Sequence, residues 1–115
     1  MKNFILFAAL TLFSFQISFA QYSNILMTST GSPNEPSICI NPKNTNIVVA
    51  GSNLNFYFYS TNSGLNWTKQ TLTSTYSVWG DPSITVDTAG NFYYGHLTNP
   101  SGGYFIDRIV VQKST

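Results

Sequence analysis

Residues 60–67 read STNSGLNW, and no other stretch restricts the fold of this chain as tightly. Ser60 and Asn62 carry side-chain oxygens short enough to fold back onto backbone N–H groups, which favours a turn over continued strand. Gly64 supplies a positive φ that a Cβ would resist. Trp67 stands at the start of a returning strand, where its large ring can bury and pin the hairpin to its sheet. The segment predicts a tight corner between two antiparallel strands.

A second regularity says what those strands belong to. Residues 35–40 (EPSICI) and 81–86 (DPSITV) both open with acid-Pro-Ser and continue as alternating β-formers, 46 residues apart. Residues 46–50 (NIVVA) align with 91–95 (NFYYG), a register slip of one, and 57–61 (YFYST) align with 111–115 (VQKST) at an offset of 54. A repeat of that size lies near the roughly 40–50 residues of a β-propeller blade. The pattern predicts strands near 36–41, 46–52, 55–60 and 66–73, then 82–87, 91–97 and 104–113. Turns are expected at Pro42-Lys43-Asn44, at Ser52-Asn53, at the 60–67 corner, at 88–91 with Gly90 left-handed, and at 99–103. Residues 22–30 also read as a strand, one that closes a ring against a last blade. Phe56 and Phe58 fall on one face of their strand and Tyr57 and Tyr59 on the other, as in a sheet covered on both sides. Helical periodicity is absent after residue 20.

The first twenty residues stand apart from this pattern. Lys2 forms a short basic region, residues 4–15 an apolar one, and Ser18-Phe19-Ala20 a small-x-small cleavage pattern, which together predict a signal peptide over 1–20 and an exported protein, extracellular or periplasmic. The apolar run is shorter than the roughly 20 residues a membrane span needs. Past residue 20 the chain has four basic residues (Lys43, Lys69, Arg108, Lys113) and four acids (Glu35, Asp81, Asp87, Asp107), so its net charge is zero. That balance gives no footprint for nucleic acid or an anionic membrane, and it suits neutral ligands held by hydrogen bonds and stacking. The single cysteine, Cys39, has no partner for an internal disulfide and reads as a buried small hydrophobe.

The polar-x-Asn-x-Gly-x-x-Trp corner resembles the Asp-box, or bacterial neuraminidase repeat, of sialidase-like β-propellers. The resemblance spans most of residues 34–115 and implies an all-β fold: a partial propeller of fewer than two four-stranded antiparallel blades, preceded by the signal peptide. Residues 21–34 are then an N-terminal strand and linker, 35–74 blade one, and 81–115 a truncated blade two. Ser60, Asn62, Gly64 and Trp67 are the structural Asp-box residues. In that family the Asp-boxes lie on the face away from the ligand funnel, which places residues 31–35, 52–55, 74–81 and 97–104 on the ligand face.

Trp79, Asp81 and Glu35 are the candidate ligand-binding residues of that face. Glu35 and Asp81 occupy equivalent repeat positions, so an architectural fastening role competes with a binding one. Trp79 faces Pro33 in the alignment and either stacks on a sugar ring or anchors its own loop. His96 has no second histidine to share a metal and reads as a hydrogen-bonding group. Asp87 mirrors Asn41 as a hairpin cap, and the Asn66-Trp67-Thr68 sequon coincides with the corner. Asp107 and Arg108, adjacent along a strand, are expected on opposite faces. The sequence has no metal-ligand spacing, nucleophile elbow or phosphate loop, so no catalytic residue, metal or cofactor is assigned.

The function implied is an exported binding module for glycans or a cell-surface partner, with no catalysis by this segment and no membrane span once the signal is removed. The alternative is the N-terminal part of an exo-α-sialidase whose catalytic residues lie downstream. Sialidases use three arginines, a Tyr nucleophile supported by a Glu, and an Asp acid/base, departing from the usual two-carboxylate scheme. Arg108 is the lone arginine here, and its Asp-Arg-Ile-Val-Val setting matches the family's Arg-Ile-Pro only at Ile109.

Overall fold

Seven strands in two antiparallel meanders account for the regular structure, and no helix occurs among the described residues. The computed structural model describes residues 22–99 and 106–114. The first sheet is β1 (Asn34–Ile40), β2 (Val48–Asn53), β3 (Phe56–Ser60) and β4 (Thr68–Thr71), in that order. The second is β5 (Ser83–Val86), β6 (Phe92–Thr98) and β7 (Arg108–Lys113). Seven of the eight expected strands form, with shifted ends. The turn between β2 and β3 lies at Leu54-Asn55 rather than Ser52-Asn53, because Ser52 pairs with Phe56 inside the ladder.

The repeat seen in sequence is a repeat of register. Ser37 pairs with Gly51 and Ile38 with Ala50 in the first sheet, while Ser83 pairs with Gly95 and Ile84 with Tyr94 in the second. Successive strand residues point to opposite faces, so the two sheets have equivalent faces. They pack through unlike ones. The Ser37–Val49–Gly51–Tyr57 face of the first sheet meets the Ile84–Phe92–Tyr94 face of the second. Ile84 N–H donates to Ser37 Oγ at 2.9 Å, and the Tyr94 hydroxyl donates to the Phe56 carbonyl at 3.2 Å. Burial pushes the Tyr94 phenol up to about 12.

The outer face of the first sheet is covered differently. Residues 22–30 form no strand, a correction to the sequence reading. Ile25–Thr28 instead line one depression with Ile38, Ala50 and Phe58, although Ile25 and Leu26 stay largely exposed. Phe58 and Ala50 are buried beneath it. Lys69 ties this layer down: its Nζ donates to the Thr30 carbonyl at 2.8 Å and sits 3.8 Å from the Phe56 ring centroid.

Four further expectations need correction or placement. Cys39 is only half-buried, because β1 is the edge of its sheet. Asp107 lies ahead of β7 rather than within it, so it and Arg108 are not split across two faces. The signal peptide over 1–20 and most of the 99–103 turn lie outside the described residues.

Candidate functional site

The meander topology sends the 60–67 corner to one end of the sheets and the β2–β3 turn with the 72–82 crossover to the other. At the corner, Ser60 Oγ accepts from Asn62 N–H at 3.2 Å and Gly64 N–H at 2.9 Å, and donates to Asn62 Oδ1 at 2.9 Å. Asn62 Oδ1 also accepts from Asn66 N–H at 2.9 Å. Gly64 has φ +84, and a Cβ there would lie 3.4 Å from the half-buried Trp67 ring. Ser60, Asn62 and Gly64 thus make the tight turn, and Trp67 stands half-buried directly ahead of β4. Asn46 adds a clamp invisible in sequence: Ser63 Oγ donates to its side-chain oxygen at 2.8 Å, and Ser63 N–H donates to its carbonyl at 2.9 Å.

Two hairpin caps complete this end. Asn41 Oδ1 accepts from Lys43 N–H at 2.9 Å, while its Nδ2 reaches across to the Gly90 carbonyl at 3.2 Å. Asp87, its repeat counterpart, accepts from Ala89 N–H and Asn91 N–H through Oδ1, and from Asn91 Nδ2 and the Tyr93 hydroxyl through Oδ2. Those donors, the Asn91 side chain foremost, hold its carboxyl well below the usual carboxylate range. Gly90 is left-handed, at φ +92.

The opposite end joins two of the three predicted ligand residues, Glu35 and Asp81, while Trp79 lines a separate depression. Glu35 and Asp81 both adopt left-handed backbone, at φ 51 and 48, so their equivalence extends to conformation. Asn53 joins them: its Nδ2 donates to Glu35 Oε2, and its Oδ1 accepts from Asp81 N–H at 2.6 Å. The Glu35 carboxylate and the Asp81 backbone are thereby fastened at the joint between the sheets. Gly80 makes room, since a Cβ there would collide with Asn53 Oδ1. Sequence reasoning missed Asn53, which reads merely as a turn residue; its counterpart by register, Leu97, breaks the repeat.

Trp79 is held by its backbone and free at its ring. Its N–H donates to the Leu97 carbonyl at 2.9 Å, and Leu97 N–H returns to the Gly80 carbonyl at 3.0 Å. The side chain is 41% exposed beside Leu54, which is 67% exposed. With Asn55 and Val78 they line an open depression of about 330 Å³. An indole wall with an aliphatic neighbour can stack the C–H face of a sugar ring.

Arg108 and His96 are already engaged. The guanidinium donates to Asp107 through Nε at 3.3 Å and Nη2 at 2.9 Å, and lies 5.1 Å from the Tyr76 ring centroid. The Asp107 hydrogen bonds raise its pKa further. His96 is buried, with Nδ1 donating to the Leu97 carbonyl at 2.9 Å and Nε2 accepting from Gln112 Nε2 at 3.1 Å. That same Gln112 nitrogen donates to the Thr73 carbonyl at 3.1 Å, so the pair anchors the crossover. Among the described residues no three His, Cys, Asp or Glu side chains converge as a metal site, and no helix is long and apolar enough to cross a membrane. Comparison of the chain with protein-family models, curated proteins and solved structures returns no match.

Proposed function

We propose that this chain is exported and forms part of an Asp-box β-propeller of the sialidase-like type, serving as a binding module for neutral glycans. The observation that carries the reading is the exposed Trp79 ring beside Leu54, at the end of the sheets opposite the Ser60–Trp67 corner. A zero net charge past residue 20 fits a ligand recognised by stacking and hydrogen bonds rather than by ionic attraction. The bond from Asn53 to the Glu35 carboxylate favours a framework role for Glu35, and the bond from the Asp81 N–H holds that backbone in place, which leaves Trp79 as the main contact residue. The engagement of Arg108 with Asp107 argues against its acting as a carboxylate clamp, and so against hydrolysis by these residues.

Glycan-array binding by the full-length secreted product tests the reading. Binding that Trp79→Ala abolishes without lowering thermal stability supports it, and equal binding by the variant sinks it. Turnover of a fluorogenic sialoside by the same product would move the protein to the hydrolase class.

A further inference from the structure

His96 is enclosed almost completely, at 1% exposed, and both of its ring nitrogens are committed. Nδ1 donates to the Leu97 carbonyl at 2.9 Å, which fixes the ring proton there and leaves Nε2 as an acceptor. Gln112 Nε2 lies 3.1 Å from that acceptor and 3.1 Å from the Thr73 carbonyl, so its two hydrogens serve two lone pairs. The repeat accounts for only half of this arrangement. By register, Ser52 and Phe58 of the first sheet stand where His96 and Gln112 stand in the second. Ser52 Oγ donates to the carbonyl of the next residue, Asn53, at 3.1 Å, as Nδ1 does to that of Leu97. A serine hydroxyl therefore meets the need of the strand, and Nε2 is what histidine adds.

That nitrogen can take a proton, and no orientation of the Gln112 amide suits a protonated ring and the Thr73 carbonyl together. With Nε2 protonated, the amide nitrogen faces a second donor; turned over, the amide oxygen faces the Thr73 carbonyl. One bond is lost either way. The neighbouring charges are otherwise engaged. On the ring's own strand Tyr94 lies 6.4 Å away between centroids. On β7, Arg108 shares the Gln112 face but is paired with Asp107 and lies against Tyr76 of the crossover, while Lys113 lies over Tyr93 on the other face. Asp81 sits at the far end of the crossover, and β5 carries no titratable side chain. Among the described residues, the Gln112 bond is the one hydrogen bond from residues 73–76 to the second sheet. The next tie is from Ser77 Oγ to the Asn99 carbonyl at 3.2 Å.

We propose that His96 and Gln112 form a proton-operated latch: the neutral ring holds residues 73–76 down through the Gln112 amide, and a proton on Nε2 releases them. Thr73 and Gln112 line both the cavity of about 310 Å³ between the sheets, walled by Tyr57, Phe92 and Tyr94, and the open depression under residues 73–76. Their bond stands between the two, so release opens the aromatic cavity on that side. The inference rests on these bonds and not on glycan binding, so either can fail while the other stands.

A nitroxide on Thr75→Cys, an exposed position of the segment, reads the release in a Cys39→Ser background of the full chain. Its mobile fraction should rise by about fivefold or more between about pH 7.5 and about pH 5, a range over which histidine changes charge. His96→Gln offers Gln112 an amide oxygen at either pH and should keep the segment held throughout. Gln112→Met, which leaves the ring in place, should leave the segment mobile throughout. An unchanged spectrum in the parent overturns the latch, as does a pH response that survives His96→Gln or a segment still held in Gln112→Met. Mobility that appears together with loss of the β-sheet circular dichroism signal assigns the effect to unfolding of the whole chain, and overturns it equally.

Discussion

The Tyr94 ring occupies the space that a Cβ on Gly51 would need, with ring carbons 2.7 Å from that position. Aromatic bulk on one sheet and a missing side chain on the other set the distance between the two. Gly51→Ala should destabilise the chain by about 1–3 kcal/mol through overpacking, since the new Cβ would lie 2.7 Å from ring carbons and the ring would have to shift. Gly95→Ala, at the matching position of the second sheet, should stay within about 0.5 kcal/mol of the parent. Urea unfolding of the two variants side by side checks the contrast, and equal losses would contradict the packing described.

The same ring gives an alkaline signature. Burial raises the Tyr94 phenol from 10.0 to about 12, so its contribution is fully present below pH 10 and lost as pH climbs towards 12. The unfolded chain ionises first across that window, and stability falls. Tyr94→Phe removes the titration, at the cost of the hydroxyl's bond to the Phe56 carbonyl. Its denaturation midpoint should accordingly start lower and decline less steeply between pH 10 and 12.

Asn53 and Gly80 should prove energetically coupled. Asn53→Ala frees the Glu35 carboxylate and the Asp81 N–H, a loss of about 1–2 kcal/mol for two partly exposed hydrogen bonds. Gly80→Ala should cost more, because its Cβ collides with Asn53 Oδ1 and its φ of +99 suits glycine. In the Asn53→Ala background the collision is gone and only the backbone penalty of about 1 kcal/mol remains. A double-mutant cycle measures the difference; strictly additive losses would show that the two do not touch.

At the 60–67 corner, Ser60→Ala removes the acceptor of two backbone N–H groups from a nearly buried position, 2% exposed. The expected loss is about 1–3 kcal/mol, the penalty of donors left without partners. Ser60→Thr, which retains the oxygen, should lose less. Chemical denaturation distinguishes a lost oxygen from a perturbed fold.

What could be read from the sequence was whatever short-range chemistry dictates. Alternation placed the strands, because residues on a pleated sheet have only two directions to point. The Ser60, Asn62 and Gly64 roles follow from side chains that reach no farther than their own turn. The equivalence of Asn41 with Asp87 and of Glu35 with Asp81 survived because each pair meets the same local backbone. Contacts across tens of residues were illegible. Nothing near Asn53 announces that it bridges Glu35 and Asp81, and nothing near Gly51 announces Tyr94. The strand expected at 22–30 failed for the same reason: apolar alternation identifies a segment that will bury one side, but not whether a ladder partner is there to receive it. Asp107 and Arg108 were misplaced by a strand boundary, since a shift of β7 converts opposite faces into an ion pair of 2.9 Å.

Strong acid should loosen the chain at one identifiable place. Four donors converge on the Asp87 carboxylate, and they hold its pKa below the ordinary value of 3.8. A depressed pKa means that the folded form holds the anion while the unfolded form takes up a proton first. The stabilisation is therefore fully present above pH 3.8 and declines as pH drops below it. Asp87→Asn keeps one acceptor oxygen for Ala89 N–H and Asn91 N–H but carries no charge, and it cannot accept from both the Asn91 amide and the Tyr93 hydroxyl as before. This variant should be less stable at neutral pH and show a shallower loss between pH 4 and 2, as the pKa shift implies. Thermal melts of parent and variant across that range read both effects, and parallel pH profiles would show that the Asp87 cap contributes nothing to acid sensitivity.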